Sequence, residues 1–294
     1  MLERLVVVGL GLIGGSMTKG LREAGLFTEV IGVESNPEHR SEALQQGLVD
    51  RCCASLETAL QEGADVIVLA VPLSAMPALF KALAQFELKD CTITDVGSAK
   101  QPVLDAVQAA FGEIPPNFVA GHPIAGSEKS GPMAADACLF QGRSVILTTT
   151  PETAAFALQR IQCLWQALGA EVQQMTAQQH DEVLAATSHL PHMLAFALTD
   201  ELARRGLLSS TIAAGGLRDV TRIAASDPLM WRDIALSNRD CLLAELQGFR
   251  AALDNLTTAL EQRDGQHLFD LFRRAKAARE PLFPAHCVLS NPDA

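Results

Sequence analysis

Residues 121–132 read GHPIAGSEKSGP, a segment in which five Gly and Pro residues surround His122, Ser127, Glu128, Lys129 and Ser130. Acid, base and hydroxyl groups are thus gathered in one stiffened stretch. Imidazole is the side chain whose ordinary pKa lets it take up and return a proton near neutrality. Other groups with chemical potential stand elsewhere in the chain. Ser98 and Lys100 follow CTITDVG (91–97), SHLPH (188–192) holds His189 and His192, and GGLRDVTRIAASDPLMWRD (215–233) places Arg218 and Arg222 four residues apart. Four residues is one helical turn, so both guanidinium groups share a face if that segment is helical.

These groups need elements to position them. Over the first 175 residues, apolar runs at 5–9, 29–34, 65–72, 91–97, 117–124, 143–150 and 171–175 alternate with segments of helical spacing at 12–24, 74–86, 100–111 and 152–168. Continuous apolar runs separated by helices predict a mainly parallel sheet covered on both faces. Beyond residue 176 the strand-like runs stop, and 3.6-residue spacing at 177–187, 191–205, 209–215, 228–262 and 264–279 predicts an all-helical second domain. Asp227 before Pro228 is a helix start, and the helix it opens could exceed ~30 residues, a length that favours packing against a second copy. The expected organisation is a Rossmann-type domain over 1–176, a helical domain over 177–280 and a short tail over 281–294.

The first strand runs straight into Gly9-Leu10-Gly11-Leu12-Ile13-Gly14, a G-x-G-x-x-G between strand and helix. Gly9 suits the tight turn, Gly11 the approach of a pyrophosphate and Gly14 close helix–strand packing, with the phosphates at the helix N-terminus. Leu12 and Ile13 open that helix, and Val71 and Pro72, ending the run 65–72, reach the same edge. Glu34 closes the second strand 25 residues after Gly9, where a carboxylate can accept both ribose hydroxyls of NAD and repel the 2′-phosphate of NADP. NAD is the expected cofactor. FAD uses the same motif, but nothing else here suggests a flavin domain.

Composition narrows the class further. The 294 residues carry a net charge of −11 and no basic run, which argues for a small-molecule partner over nucleic acid. No apolar segment approaches the ~18 to 20 residues that span a bilayer, and the N-terminus shows no signal-peptide pattern, so a cytoplasmic protein is expected. Seven cysteines lack zinc spacing and suit reduced thiols, so no metal site is expected. The sequence has no Tyr, which excludes a tyrosine proton donor.

Taken in order, GLGLIGGS, DVGSAK, GHPIAGSEKSG, SHLPH and GGLRDVTRIAASDPLMW strongly resemble the prephenate dehydrogenase family, including arogenate and cyclohexadienyl dehydrogenases, over roughly residues 4 to 280. The resemblance implies NAD-dependent oxidation of prephenate with loss of CO₂, giving 4-hydroxyphenylpyruvate on the route to tyrosine. It implies that His122 is the base at the substrate 4-hydroxyl and that Ser98 holds that hydroxyl or orients His122. Arg222 would anchor a substrate carboxylate, for which a planar two-pronged guanidinium suits better than Lys. His192 would lie near substrate and nicotinamide, Glu128 at the site entrance beside a cation, and Arg218, Trp231 and Ser127 in supporting positions. A homodimer through the helical domain is expected as well.

Two rival readings make different demands. A β-hydroxyacid dehydrogenase requires a Lys base on the first long helix of the second domain, and 177–205 contains no Lys. A non-catalytic NAD-binding regulator would tolerate loss of His122 or Arg222, and both are present.

Overall fold

The computed structural model describes residues 2–126, 129–208 and 215–282. These fall into two compact units divided between Leu242 and Leu243, within one helix.

The first unit is built on an eight-stranded sheet: β1 (Leu2–Val8), β2 (Phe27–Val33), β3 (Arg51–Cys53), β4 (Val66–Leu69), β5 (Thr92–Asp95), β6 (Phe118–Pro123), β7 (Ser144–Thr148) and β8 (Glu171–Met175). Its order is β3-β2-β1-β4-β5-β6-β7-β8, with every neighbouring pair parallel except β6 and β7. The first six strands have the doubly wound order whose direction reverses between β1 and β4, the place where such sheets bind ligands at their carboxyl edge.

Side-chain alternation explains the covering of both faces. Leu5 and Val7 of β1 and Val66 and Val68 of β4 join one core with Met17 and Leu21 of α1 (Leu12–Glu23) and Ile161, Leu164 and Trp165 of α6 (Ala155–Ala167). Val6, Val8, Ile67 and Leu69 point the other way, into a core with α3 (Leu56–Ala59), α4 (Met76–Leu83) and α5 (Gln101–Phe111). Each fully buried Val, Ile or Leu contributes about 1.5 to 3 kcal/mol, which makes these central strands the stable part on which the site rests.

Three elements lie outside the sequence expectation. The strand β3 has only three residues and sits at the sheet edge, α3 has only four residues, and α2 (Pro37–Gln45) is polar, so none carries a strong apolar period.

The helices that follow complete the first unit. Thr176 caps α7 (Ala177–Leu184) through a reciprocal capping box with Gln179. The expectation of two separate helices at 177–187 and 191–205 is corrected, because α7 runs through a π-helical turn, Ala185–His189, directly into α8 (Leu190–Arg204). The turn ends two residues before Pro191, whose ring would crowd the carbonyl four residues back, that of Thr187 within the turn, in a regular helix. The described part of the next segment is α9 (Gly215–Thr221) followed by a 3₁₀ turn, Arg222–Ala225. Most of the helix expected over 209–215 lies outside the described residues.

Asp227 caps α10 (Pro228–Ser237) as predicted, accepting from Met230 N–H at 2.7 Å. The single long helix expected over 228–262 is corrected: it breaks at Asn238 (φ −108°, ψ 36°) before α11 (Arg239–Glu261). There the Asn238 amide donates to the Asp181 carbonyl at 2.7 Å and lies 3.2 Å from His189 Nδ1, so tertiary bonds override helical continuity. The second unit contains the rest of α11 and α12 (Gly265–Arg279), which Asp264 caps at 2.9 Å.

Candidate active site

The glycine turn has the shape a diphosphate requires. Gly9 has φ +89°, and a Cβ there would lie 2.3 Å from the Ala70 carbonyl oxygen; a Cβ on Gly14 would lie 2.0 Å from the Gly9 carbonyl oxygen. Both positions are closed to larger residues by backbone. Gly11 differs, because nothing lies within 4 Å of the Cβ it lacks. It stands at the N-cap of α1 without a side-chain cap, and Leu12 and Ile13 follow half-buried, so the helix offers free N–H groups toward an open space.

Glu34 is half-buried at the end of β2. Its carboxylate accepts from Leu10 N–H at 3.2 Å and Asn36 N–H at 3.0 Å, which ties it to the glycine turn. Arg40 folds back to donate 2.8 Å bonds to the carbonyls of Glu34 and Ser35. Val71 and Pro72 follow β4 at the same edge, and Val71 Cγ1 comes within 3.0 Å of the position a Gly9 Cβ would take.

Along the edge, β5 ends at Asp95 and leads to half-buried Ser98, while β6 carries His122. Beneath His122 lies a fully buried ion pair: Lys100 Nζ donates to Asp95 Oδ2 at 2.5 Å and to the Gly121 carbonyl at 2.6 Å. Asp95 also accepts from Gly97 N–H at 2.8 Å and Gly121 N–H at 3.3 Å. This knot fixes the backbone of the residue before His122 against β5. Burial pulls the Lys100 pKa down, and the Asp95 carboxylate opposes that shift.

His122 is half-buried as a residue, and its Nδ1 lies 2.8 Å from His180 Nε2. His180 is fully buried, and its Nδ1 lies 2.7 Å from Asp181 Oδ1. Asp181 in turn accepts 2.8 Å bonds from the N–H groups of Lys100 and Gln101, where α5 begins. Burial works to raise the Asp181 pKa, but the bonds from His180, Lys100 and Gln101 outweigh it and hold the carboxyl below its ordinary range. Burial in the surrounding packing holds His122 well below the ordinary histidine value, and the charges of His180, Lys100 and His189 push the same way. His122 is therefore a neutral imidazole near pH 7, the state a base must have.

The third cluster comes from α8 and α10. The His192 and Trp231 rings stack with centroids 3.6 Å apart and planes 19° off parallel, and Trp231 also meets the His189 ring edge-on at 6.1 Å. His192 Nδ1–H donates to the Ser188 carbonyl at 2.9 Å, which leaves Nε2 as an acceptor. Burial lowers the His192 pKa, the Ser188 bond raises it, and the charge of Arg222 lowers it, so Arg222 stands near this imidazole. Arg222 and Arg218 are exposed, and no ion pair of either is found among the described residues. The buried Trp231 Nε1–H has no partner among the described residues, an unusual state for an interior donor.

Ser127 and Glu128 lie outside the described residues. His180 and Asp181 were missed by the sequence reading, although an adjacent His–Asp pair on a segment of helical period is a visible signal. Among the described residues no group of three or more His, Cys, Asp or Glu could hold a metal ion.

Comparison with known proteins accounts for both halves of this site. The model for the prephenate dehydrogenase nucleotide-binding domain matches residues 17–174, and that for the prephenate dehydrogenase dimerization domain matches residues 176–274. A cyclohexadienyl dehydrogenase of Zymomonas mobilis is 36% identical over 97% of this chain and 98% of its own length. A prephenate dehydrogenase of Lactococcus lactis is 35% identical over 96% of this chain and 78% of its own. The crystal structure of a prephenate dehydrogenase from A. aeolicus, in complex with hydroxyphenyl propionate and NAD⁺, superposes with a TM-score of 0.89 at 33% identity, covering 96% of this chain and 99% of that one. With both domain models matched in sequence order and full-length relatives above 30% identity, the chain belongs to the prephenate dehydrogenase family.

Proposed function

We propose that the protein converts prephenate to 4-hydroxyphenylpyruvate and CO₂, using NAD⁺, in tyrosine biosynthesis. The observation that carries this reading is the neutral, doubly backed His122 imidazole on the same sheet edge as the open glycine turn. The relatives named above give the substrate class.

Bound at the glycine turn, NAD⁺ supplies the hydride acceptor. The free N–H groups opening α1 take its diphosphate, the missing Gly11 side chain makes the space, and Glu34 takes the ribose hydroxyls. As hydride leaves the ring carbon bearing the 4-hydroxyl, His122 accepts the hydroxyl proton. The electron pair released by the departing ring carboxylate completes the aromatic ring, and His122 returns the proton to the phenolate oxygen, so no net proton is consumed. Arg222 binds a carboxylate of the substrate, a task that fits a guanidinium with no ion pair among the described residues. The stacked His192 and Trp231 form a wall beside it, where the unpaired indole N–H suits an acceptor-rich ligand. Ser98 would contribute at the hydroxyl, because Nδ1 of His122 is already engaged by His180.

Arogenate, which carries an ammonium where prephenate has a keto group, is the alternative substrate, favoured by the resemblance to a cyclohexadienyl dehydrogenase. We further read 1–176 and 177–280 as the two functional domains, since the two family models meet near residue 176, with the helical one forming a homodimer. The free thiols among the described residues support a cytoplasmic location. Initial rates with prephenate and arogenate, each with NAD⁺ and NADP⁺, test the reading. The expected result is fastest turnover with prephenate and NAD⁺; no turnover of either substrate overturns it.

A further inference from the structure

Two side chains, His180 and Asp181, line up behind the base, and neither belongs to the sequence motifs that point to His122. Asp181 is held by two backbone N–H groups where α5 begins, which leaves its Oδ1 able only to accept at His180. A carboxylate has no proton to donate, so the His180 nitrogen facing it, Nδ1, carries the hydrogen. In a neutral His180 the other nitrogen, Nε2, is then a bare acceptor, and it lies 2.8 Å from His122 Nδ1. His122 Nδ1 must therefore be the protonated one. Its Nε2 is left with the lone pair. The remaining ionisable groups around the pair are Lys100, paired with Asp95, and His189.

We propose that Asp181 and His180 are positioning residues which fix the tautomer of His122, aiming its Nε2 lone pair at the substrate hydroxyl and stabilising the imidazolium that forms there. The role rests on His122 being the base. In each turnover the proton passes from the hydroxyl oxygen to His122 Nε2 and back to the phenolate oxygen, while the Nδ1–H bond to His180 and the His180 bond to Asp181 stay intact. Unlike a direct His–carboxylate pair, this relay places a second, fully buried ring between base and anion. Asp181 belongs to α7 but is gripped by α5, so the relay also joins the helical segment to the sheet at the base itself.

Asp181→Asn tests this with little change of shape. Oδ1 accepts from both His180 and Lys100 N–H, whereas Oδ2 accepts from Gln101 N–H alone, so the amide keeps its oxygen toward His180 and what the variant loses is the negative charge. The imidazolium that forms at His122 is then left without its buried counter-charge. A fall in kcat of about 10² or more is expected, with KM for both substrates within about threefold. His180→Leu, which removes the acceptor, should fall similarly. His180→Gln should retain kcat within about tenfold, because its oxygen can accept from His122 while its NH₂ donates to Asp181.

Wild-type-like kcat in Asp181→Asn or His180→Leu overturns the relay, as does a His180→Gln enzyme as slow as His180→Leu. If a variant fails to fold, ring ¹⁵N signals of the wild-type protein decide, with the His122 resonances assigned by their loss in His122→Asn. A protonated Nδ1 and bare Nε2 support the proposal, and the reverse overturns it. Failure of the functional reading looks different: a wild-type enzyme inactive on both substrates, or an active His122→Asn.

Discussion

Substitution of two glycines in the same turn should separate folding from cofactor binding. In Gly14→Ala the new methyl carbon would sit 2.0 Å from the Gly9 carbonyl oxygen and 2.9 Å from Ala70 Cβ. Both neighbours are anchored, because Gly9 N–H bonds to Val33 and Ala70 N–H bonds to Val8, across the central strands. Relief requires a shift of more than an ångström between α1 and the sheet, so the upper end of the overpacking range, about 3 kcal/mol, applies. For a protein of this size that is a fall of about 6 to 12 °C in Tm. Gly11→Ala meets nothing within 4 Å, and its backbone (φ −69°, ψ −163°) is open to any residue. Its Tm should stay level or rise slightly, since Ala restricts the unfolded chain. The methyl would instead occupy the space where the diphosphate approaches, and Kd for NAD⁺ should rise at least about tenfold, or about 1.4 kcal/mol. Thermal melts without cofactor and calorimetric titration with NAD⁺ read the two effects separately. An unchanged Kd in Gly11→Ala refutes the placement of the diphosphate, and an unchanged Tm in Gly14→Ala refutes the close helix–strand contact.

Other substitutions probe the chemistry. His122→Asn should lower kcat by about 10² or more with little change in KM, as loss of a general base does; near-normal turnover by the folded variant removes the assignment. Arg222→Gln should raise KM for prephenate far more than it lowers kcat, and an unchanged KM means another cation holds the carboxylate. Stability should also depend on pH through His189, whose burial pushes its pKa down to about 4. The unfolded chain binds that proton below about 6.5 and the native protein does not until about 4, so this contribution is complete above pH 6.5 and is lost as pH falls toward 4. Between pH 7.5 and 5.5 the loss is about 1.4 kcal/mol by urea titration, and His189→Gln should flatten it; identical slopes in both proteins count against a buried neutral His189.

The parts of the molecule that obey one local rule were readable from the chain. Six of the eight strands announce themselves as largely buried runs, while β8 (EVQQM) is mostly exposed, and the glycine turn sits between a strand and a helix as its chemistry demands. The helix start at Asp227-Pro228 was equally plain. What escaped depends on contacts made across the sequence. Asn36-Pro37 could have revealed α2, since Asn36 caps it by accepting from Glu38 N–H at 2.8 Å, but the helix is polar and lacks a strong stripe. Nothing local signals that Asn238 will leave the helical ladder for Asp181 and His189, 57 and 49 residues away. The partnership of His122 with His180 likewise spans 58 residues and exists only once α7 docks on α5.

The π turn between α7 and α8 sets the phase of this whole edge. His180 and His192 are twelve positions apart, and at about 100° per residue a regular α-helix would turn them about 120° away from each other. A π turn absorbs one extra residue, which reduces the angular offset to that of eleven positions, about 20°. One surplus residue thus brings onto a common side the ring that backs the base and the ring that stacks on Trp231, and His189, between them, feels the charge of both. Straightening Ala185–His189 into regular α-helix without removing a residue would turn His180 and His192 about 100° out of step, whereas deleting one residue from 185–188 would let a regular helix keep them in phase.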